Sequence, residues 1–398
     1  MASRSKDLQK TDAEKRPIRD RSEAFQGFGP SLLADCALRP LQHMVFSKDL
    51  AEARATVRKH IPVCAGVYGW LNPDNTLIYV GKSKSLRQRL LTYFATETSD
   101  PKMSKIRRHS KTLVWEPISH ELLALIREAE LIDRWRPPYN VEGKPERRQP
   151  GFICVSHGSA PSLFFARQVP KRASEAIGPI AGRARLNEAI SCLNYVFQLR
   201  DCPDKVKMHF SNQLSLFGND RTAQCIRHEL STCLGPCAEH CTRESYRHNV
   251  EKALKFLRGR DFGMIKRLDE RMQQAATQMS FERACVLRDQ LKQMKWLQRR
   301  LQQLTTARRK LDGVWKLPGF DRQEHWMILR AGQLLSCCNG DDLEVSETAN
   351  NMIREAQNSD PQVPQTHLQI GVLLMLAAWI KKHPQDISSL VKFAELAV

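Results

Sequence analysis

Acidic residues are the first shortage in this sequence: the 398 residues carry 43 Asp and Glu against 62 Lys and Arg, a formal charge of +19 at pH 7 with a pI near 9.6. That imbalance favours a polyanionic partner and binding that salt weakens; a solubilising surface is the plainer alternative. Long apolar runs are missing too. Ile370 to Ile380 is too short for a bilayer, which takes about 20 residues, and the opening MASRSKDLQKTDAEKRP has no apolar core of the secretory kind. A spanning or exported chain is therefore not expected; a cytoplasmic, reducing setting is. Disulfides are rare there, so the 12 cysteines are expected as thiols or metal ligands. Residues 1–40, with Arg-Asp-Arg and Gly-Phe-Gly-Pro, lack any sustained hydrophobic period and are expected to form a disordered basic arm.

What is present centres on Ala65 to Leu90. Two short runs rich in Val, Ile and Tyr flank Asn72-Pro73-Asp74-Asn75, and Ser85 opens a run with Leu86, Leu90 and Phe94 in helical register. The expectation is strand, turn, strand, helix. Tyr68 and Tyr79 fall at similar places on the paired strands. Lys82, Arg87 and Arg89 follow at the strand exit and on the first helical turns, where cations can grip a phosphate. Upstream, Leu50, Ala53 and Val57 predict a helix within Leu41 to Lys59, ended by Pro62. Downstream, Leu113 to Pro117 reads as a third strand. Ser119-His120-Glu121 starts a helix whose stripe is Leu122, Leu125, Ile126, Ala129 and Ile132, with Glu128 at its edge. His109 and His120 are expected at the surface or as caps.

Gly66-Val67-Tyr68 with Tyr79-Val80-Gly81-Lys82, then Arg89, Tyr93, Glu128 and Pro138-Tyr139-Asn140, resembles the signature of the UvrC-type GIY-YIG excinucleases. The resemblance implies a phosphodiester hydrolase. Such a reaction needs an activated water, compensation of charge on the phosphoryl oxygens and help for the leaving oxygen. By resemblance, Tyr79 is the general base, Tyr68 a supporting hydroxyl, and Arg89 the transition-state stabiliser. Lys82 and Asn140 position the site, and Glu128 holds one Mg²⁺ or Mn²⁺ through hard oxygen contacts. An ordinary tyrosine is only ~0.1% phenolate at neutral pH, so Lys82 and Arg89 are expected to favour the ionised form of Tyr79.

Residues 41–142 are therefore expected as the nuclease domain, and 143–200 as a linker and small α/β segment. In that segment Phe152 to Ser156 and Leu163 to Val169 read as strands, and Gly178-Pro179 precedes a helix from Arg183 to Phe197. Residues 201–245 form a cysteine-rich region. Four thiolates suffice for zinc or an iron–sulfur cluster, and free reduced thiols are the alternative. The resemblance, through Cys233-Leu-Gly-Pro-Cys237, implies a four-iron, four-sulfur centre on Cys202, Cys225, Cys233 and Cys237, with Cys241 as a spare.

Residues 246–310 carry two stripes, Ile265, Leu268, Met272, Ala275 and Met279, then Ala284, Leu287, Leu291 and Met294, broken at Ser280. An antiparallel helical hairpin is expected. It is similar to the UVR motif through which the family docks on UvrB, with Phe281 at the tip as the anchor and Arg288 and Asp289 as a rim. The family continues with an RNase H-like nuclease and paired DNA-binding helical hairpins, for which the remaining residues are too few. Residues 311–398 are expected as strands near 314–338 and helices from 345, with no catalytic role for Asp341, Asp342 and Glu344. The fold class expected is α+β. The function expected is a metal-dependent DNA endonuclease of excision repair that cuts 3′ of a lesion alongside UvrB. The rivals are a non-catalytic adaptor and a UvrB-independent nuclease like the homologue Cho.

Overall fold

Asn72 and Asn75 reverse the chain where the sequence puts its turn. The Asn72 side chain accepts the Thr76 N–H at 2.7 Å, and Asn75 takes a left-handed φ of 58°, which asparagine tolerates. The computed structural model describes residues 24–33, 41–47, 49–95, 100–141, 149–212, 225–319, 324–339, 343–358, 363–364 and 366–395. They fall into two compact units, Met1–Ser31 with Leu38–Glu142, and Leu32–Ala37 with Gly143–Val398.

The first unit runs β1 (Gln42–Val45), α1 (Leu50–His60), β2 (Gly66–Leu71), β3 (Leu77–Ser83), α2 (Leu86–Tyr93), α3 (Pro101–Arg108), β4 (Thr112–Pro117), α4 (Glu121–Trp135) and α5 (Pro138–Val141). Its antiparallel sheet has the order β1-β4-β2-β3. Only the second half of the helix expected from Leu41 is helical, since Gln42–Val45 instead pairs with β4 as an edge strand. One face of the sheet buries Tyr68, Trp70 and Trp115 with Leu86, Leu90, Tyr93 and Phe94 of α2 and its end.

Helix α4 buries more than the predicted stripe. Leu122 and Ile126 are buried, but so are Leu123, Ala124, Arg127, Glu130 and Leu131, while Leu125, Ala129 and Ile132 are only half-buried. The reason is a second covering layer, residues 25–31. Arg127, 1% exposed, pairs with Glu116 and Glu130 at 3.1 Å each and donates to the carbonyls of Gly29 and Pro30. Arg134 donates to the Phe28 carbonyl at 2.6 Å, and the Ser31 hydroxyl to Glu130 at 2.6 Å. Phe25 packs tilted on Trp135. This part of the expected disordered arm is thus strapped to the rest of the first unit.

The second unit begins with β5 (Pro150–Ser156), β6 (Leu163–Ala166), β7 (Ala173–Ala181) and α6 (Arg183–Val196). The sheet order is β6-β5-β7, so Gly178-Pro179 lies inside a third strand that the sequence reading lacked. Then come α7 (Ile226–Glu229), α8 (Arg243–Leu257), α9 (Gly263–Thr277) and the 30-residue α10 (Phe281–Lys310). One core joins Ile153, Leu186 and Leu193 to Tyr246 and Phe256 of α8 and to Leu291, Met294 and Leu297 of α10. Helices α9 and α10 form the expected hairpin, turning at Met279 with φ 57°.

Beyond it, β8 (Gly313–Pro318), β9 (Glu324–Arg330) and β10 (Gln333–Asn339) make a meander, covered by α11 (Leu343–Asn358) and α12 (His367–Lys382). The β9–β10 turn is Ala331-Gly332, both at positive φ, as a tight hairpin demands. The C-terminal stretch is not wholly helical, because β11 (Leu390–Lys392) pairs antiparallel with β8 at the opposite edge. Ile370, Leu373, Leu376 and Trp379 of α12 are buried, and among the described residues no helix is long and apolar enough to cross a membrane. Asp341 and Asp342 lie outside the described residues.

Candidate active site

The register of β2 on β3 sets Tyr68 opposite Gly81 and Trp70 opposite Tyr79. A Cβ on Gly81 would lie 2.6 Å from the Tyr68 ring and hydroxyl, so the glycine is what lets that ring lie across the neighbouring strand. Gly66 is required for the same reason on the other side, where a Cβ would fall 2.5 Å from the Glu116 carbonyl. The glycine of each half of the motif therefore makes room for the sheet around the phenols.

Three tyrosines converge there. The Tyr68 and Tyr79 rings are 6.2 Å apart, and the Tyr68 and Tyr93 hydroxyls are 3.2 Å apart. Arg89, from α2, donates Nε to the Tyr68 hydroxyl at 3.2 Å and lies over the Tyr93 ring at 5.5 Å. Glu128 reaches over from α4 and accepts the Lys82 backbone N–H at 3.2 Å. Asn140, from α5, brackets β3 beside Tyr79: its Oδ1 accepts the Val80 N–H at 2.7 Å and its Nδ2 donates to the Val80 carbonyl at 2.8 Å.

Burial pushes the Tyr79 phenol above its ordinary range, and Tyr68 and the Glu128 carboxylate push the same way. A hydrogen bond with Tyr93 and the Arg89 guanidinium pull against them. Tyr93 is raised as well, first by burial. Arg89 thus favours the ionised Tyr79, as expected, but burial outweighs it, and Lys82 is not among the groups that act on the phenol. Lys82 is elsewhere engaged, its ammonium 2.8 Å from Glu121 with both side chains about a third exposed, and Arg87 donates to the Ile61 carbonyl at 2.6 Å.

Sequence reading assigned no role to the helix α3. Its Lys102 lies over the Tyr79 ring at 5.3 Å and Lys105 over the Tyr139 ring at 5.4 Å. The signal was available: Asp100 caps the helix by accepting the Lys102 N–H, and Pro101 occupies its first turn. His109 is hydrogen-bonded to the Tyr139 hydroxyl, and His120 caps α4.

Cys202, Cys225, Cys233 and Cys237 line one cavity of about 510 Å³ together with Arg200, Lys207, His209 and Arg227. Cys241 is not among its lining residues; it is buried and hydrogen-bonded to Ser245. Burial pushes the Cys233 thiol up to about 11, opposed by the Gly235 N–H and assisted by the three other thiols. The donor set suits a soft metal, yet among the described residues no three His, Cys, Asp or Glu side chains are drawn together closely enough to hold one. At the hairpin tip Met279 is 77% and Phe281 65% exposed.

Three family models match in succession: the UvrC-like GIY-YIG domain over residues 64–141, the UvrC/Cho excinuclease middle domain over 152–256, and the UvrB/UvrC motif over 263–295. The UvrABC system protein C of Pseudomonas syringae pv. tomato is 32% identical over 226 residues, 57% of this chain and 35% of that protein. The protein of that name from Bdellovibrio bacteriovorus is 34% identical over 251 residues, 63% of this chain and 38% of that one. The chain thus matches little more than a third of the length of these curated relatives. A crystal structure of the GIY-YIG N-terminal endonuclease domain of UvrC from Thermotoga maritima, with magnesium as its catalytic divalent cation, is 35% identical, covers 22% of this chain and 97% of that domain, and has a TM-score of 0.20.

Proposed function

We propose, from the succession of matches to a UvrC-like GIY-YIG domain, a UvrC/Cho middle domain and a UvrB/UvrC motif over residues 64–141, 152–256 and 263–295, that the chain is a UvrC-type, metal-dependent DNA endonuclease of nucleotide excision repair. The observation that carries the reading is the cluster in which Arg89 is hydrogen-bonded to Tyr68, Tyr68 to Tyr93, and Tyr79, its ring 6.2 Å from that of Tyr68, interacts electrostatically with both Arg89 and Glu128.

In this reading Tyr79, as the phenolate, takes a proton from the attacking water and becomes the phenol, while Arg89 meets the charge growing on the phosphoryl oxygens. Tyr68 holds Arg89 in place, and Asn140 fixes the strand that carries Tyr79. The Glu128 carboxylate is the hard-oxygen ligand for one Mg²⁺ or Mn²⁺. Held by Glu128, a divalent ion would supply positive charge that favours the Tyr79 phenolate. Lys82 orders the approach to Glu128 through its backbone N–H and the helix start through Glu121.

The incision falls 3′ of the lesion, and the chain works in the cytoplasm with a UvrB-like partner that seats Phe281 of the hairpin tip. Cys202, Cys225, Cys233 and Cys237, which line one cavity, would hold a metal centre, a four-iron, four-sulfur cluster or zinc, on drawing together as thiolates. The test is incision of an end-labelled damaged duplex, with UvrB and magnesium present, by the wild type and by Glu128→Ala. Loss of cutting by the variant supports the enzyme; equal cutting leaves only the adaptor reading. The labelled end reports the side of the cut.

A further inference from the structure

The second half of α10 has an unusual charge distribution. Its acidic residues, Glu282 and Asp289, both precede Gln290, and the next 20 residues carry Lys292, Lys295, Arg299, Arg300, Arg308, Arg309 and Lys310 with no carboxylate among them. Spacings of three and four place Lys292, Lys295, Arg299, Gln302, Thr306 and Arg309 on one face. All six are exposed, whereas Leu291, Met294, Leu297, Leu301, Leu304 and Ala307 fill the opposite, buried face. Arg308 points inward and is spent on the Gly178 carbonyl at 2.8 Å.

Two further cations are held rather than free. Arg300 and, from α6, Arg185 both lie over the buried Trp296, at 5.9 and 4.9 Å, a contact that fixes a guanidinium beside the stripe. The carboxylate on the adjoining α6 surface, Glu188, is occupied by Gln293 at 2.9 Å.

We propose that this face of α10, with Arg185 of α6, is a docking surface for the phosphate backbone of duplex nucleic acid, separate from the nuclease site. Its chemistry suits a phosphate track better than a folded protein or a bilayer. From Lys292 to Lys310 every exposed side chain is Lys, Arg, Gln or Thr, so the face has cations and hydrogen-bond donors but no apolar anchor for a protein interface or for insertion among lipids. At 1.5 Å per residue, Lys292 to Arg309 runs about 26 Å, long enough to meet several phosphates in succession. Such contacts fix position without reading sequence.

The experiment measures anisotropy of a short labelled duplex across a salt series, with EDTA present to silence cleavage. The first variant is K292Q/K295Q/R299Q/R309Q. A matched control, R247Q/K252Q/K255Q/K266Q, removes four exposed cations from α8 and α9, and circular dichroism verifies helix content in both. The stripe variant should bind about tenfold or more weakly at ~0.1 M salt, with a salt slope shallower by up to about 3.6, since each of the four lost phosphate contacts removes about 0.9. The control should move little. Equal losses in the two variants, or an unchanged slope in the first, would overturn the proposal. So would retention of the stripe variant's affinity for DNA together with loss of binding to anionic vesicles. Because the readout is binding with EDTA present and not cleavage, failure of the nuclease reading and failure of this one are told apart.

Discussion

Three phenols share one guanidinium in the first unit, and in the proposed reaction their ionisation decides the chemistry. Burial raises the Tyr79 phenol, so the neutral form dominates at neutral pH and the ionised form grows tenfold per pH unit below its ionisation point. If the phenolate is the working base, incision by the wild type should rise with pH through the alkaline range at saturating magnesium. Tyr79→Phe should lose about 100-fold or more in rate and show no such rise. A rate independent of pH in the wild type would remove Tyr79 from the role of base. Asn140 makes a different prediction. Its replacement by Ala strands both polar groups of Val80 inside the strand, at about 1–3 kcal/mol for each buried group left unpaired. Urea unfolding should register a loss of that order. The phenols, Arg89 and Glu128 were legible in the sequence because closely spaced motif residues mark them. Lys102 was not, since a lysine on a short helix reads as solvent-facing unless its fold neighbour is known.

At the scale of elements, strands β2, β3 and β4 and helix α4 followed from alternation and periodicity, whereas β1 and β7 did not. Strand β1 shows an exposed, exposed, buried, exposed pattern over four residues, too short for period two to stand out, and it is recognised only by its ladder to β4. The charge cluster in α4 was hidden for another reason: Arg127 and Glu130 are three residues apart, a spacing normally found on a wet helix face. Covered by residues 25–31, they become a buried network. Removing one partner leaves the others charged in a dry site, so Arg127→Leu should destabilise the protein by about 3–5 kcal/mol, measured as a shift in denaturant midpoint. The hairpin of α9 and α10 gives the opposite expectation. Phe281 is mostly exposed, so Phe281→Ala should leave the unfolding midpoint within about 0.5 kcal/mol while lowering capture of UvrB. Unchanged capture removes the anchor role.

For the whole molecule, charge and cysteine set the conditions under which it works. The excess of +19 makes every nucleic-acid contact sensitive to salt. If the cysteine cavity loads a metal as proposed, loading is sensitive to pH, because each thiol must lose its proton before it can ligate and Cys233 is held near 11. The sign is that of a raised acid: the metal-free form keeps its proton to higher pH, so loading should tighten as pH rises from 7 to 9. Titration with zinc or reconstitution with iron and sulfide, each followed by proton release, checks it. Affinity that stays flat over that range would exclude thiolate ligation in the cavity.

The two hydrogen bonds from Asn140 to Val80 also carry a consequence for biosynthesis. Sixty residues separate the clamp from the strand it holds, so a nascent chain can form the β2–β3 hairpin well before the residue that secures it has left the ribosome. A polypeptide released early, short of Asn140, keeps the tyrosines and arginine but has an unlatched catalytic strand. Synthesis itself thereby delays the latching of the strand that carries Tyr79 until the domain is complete.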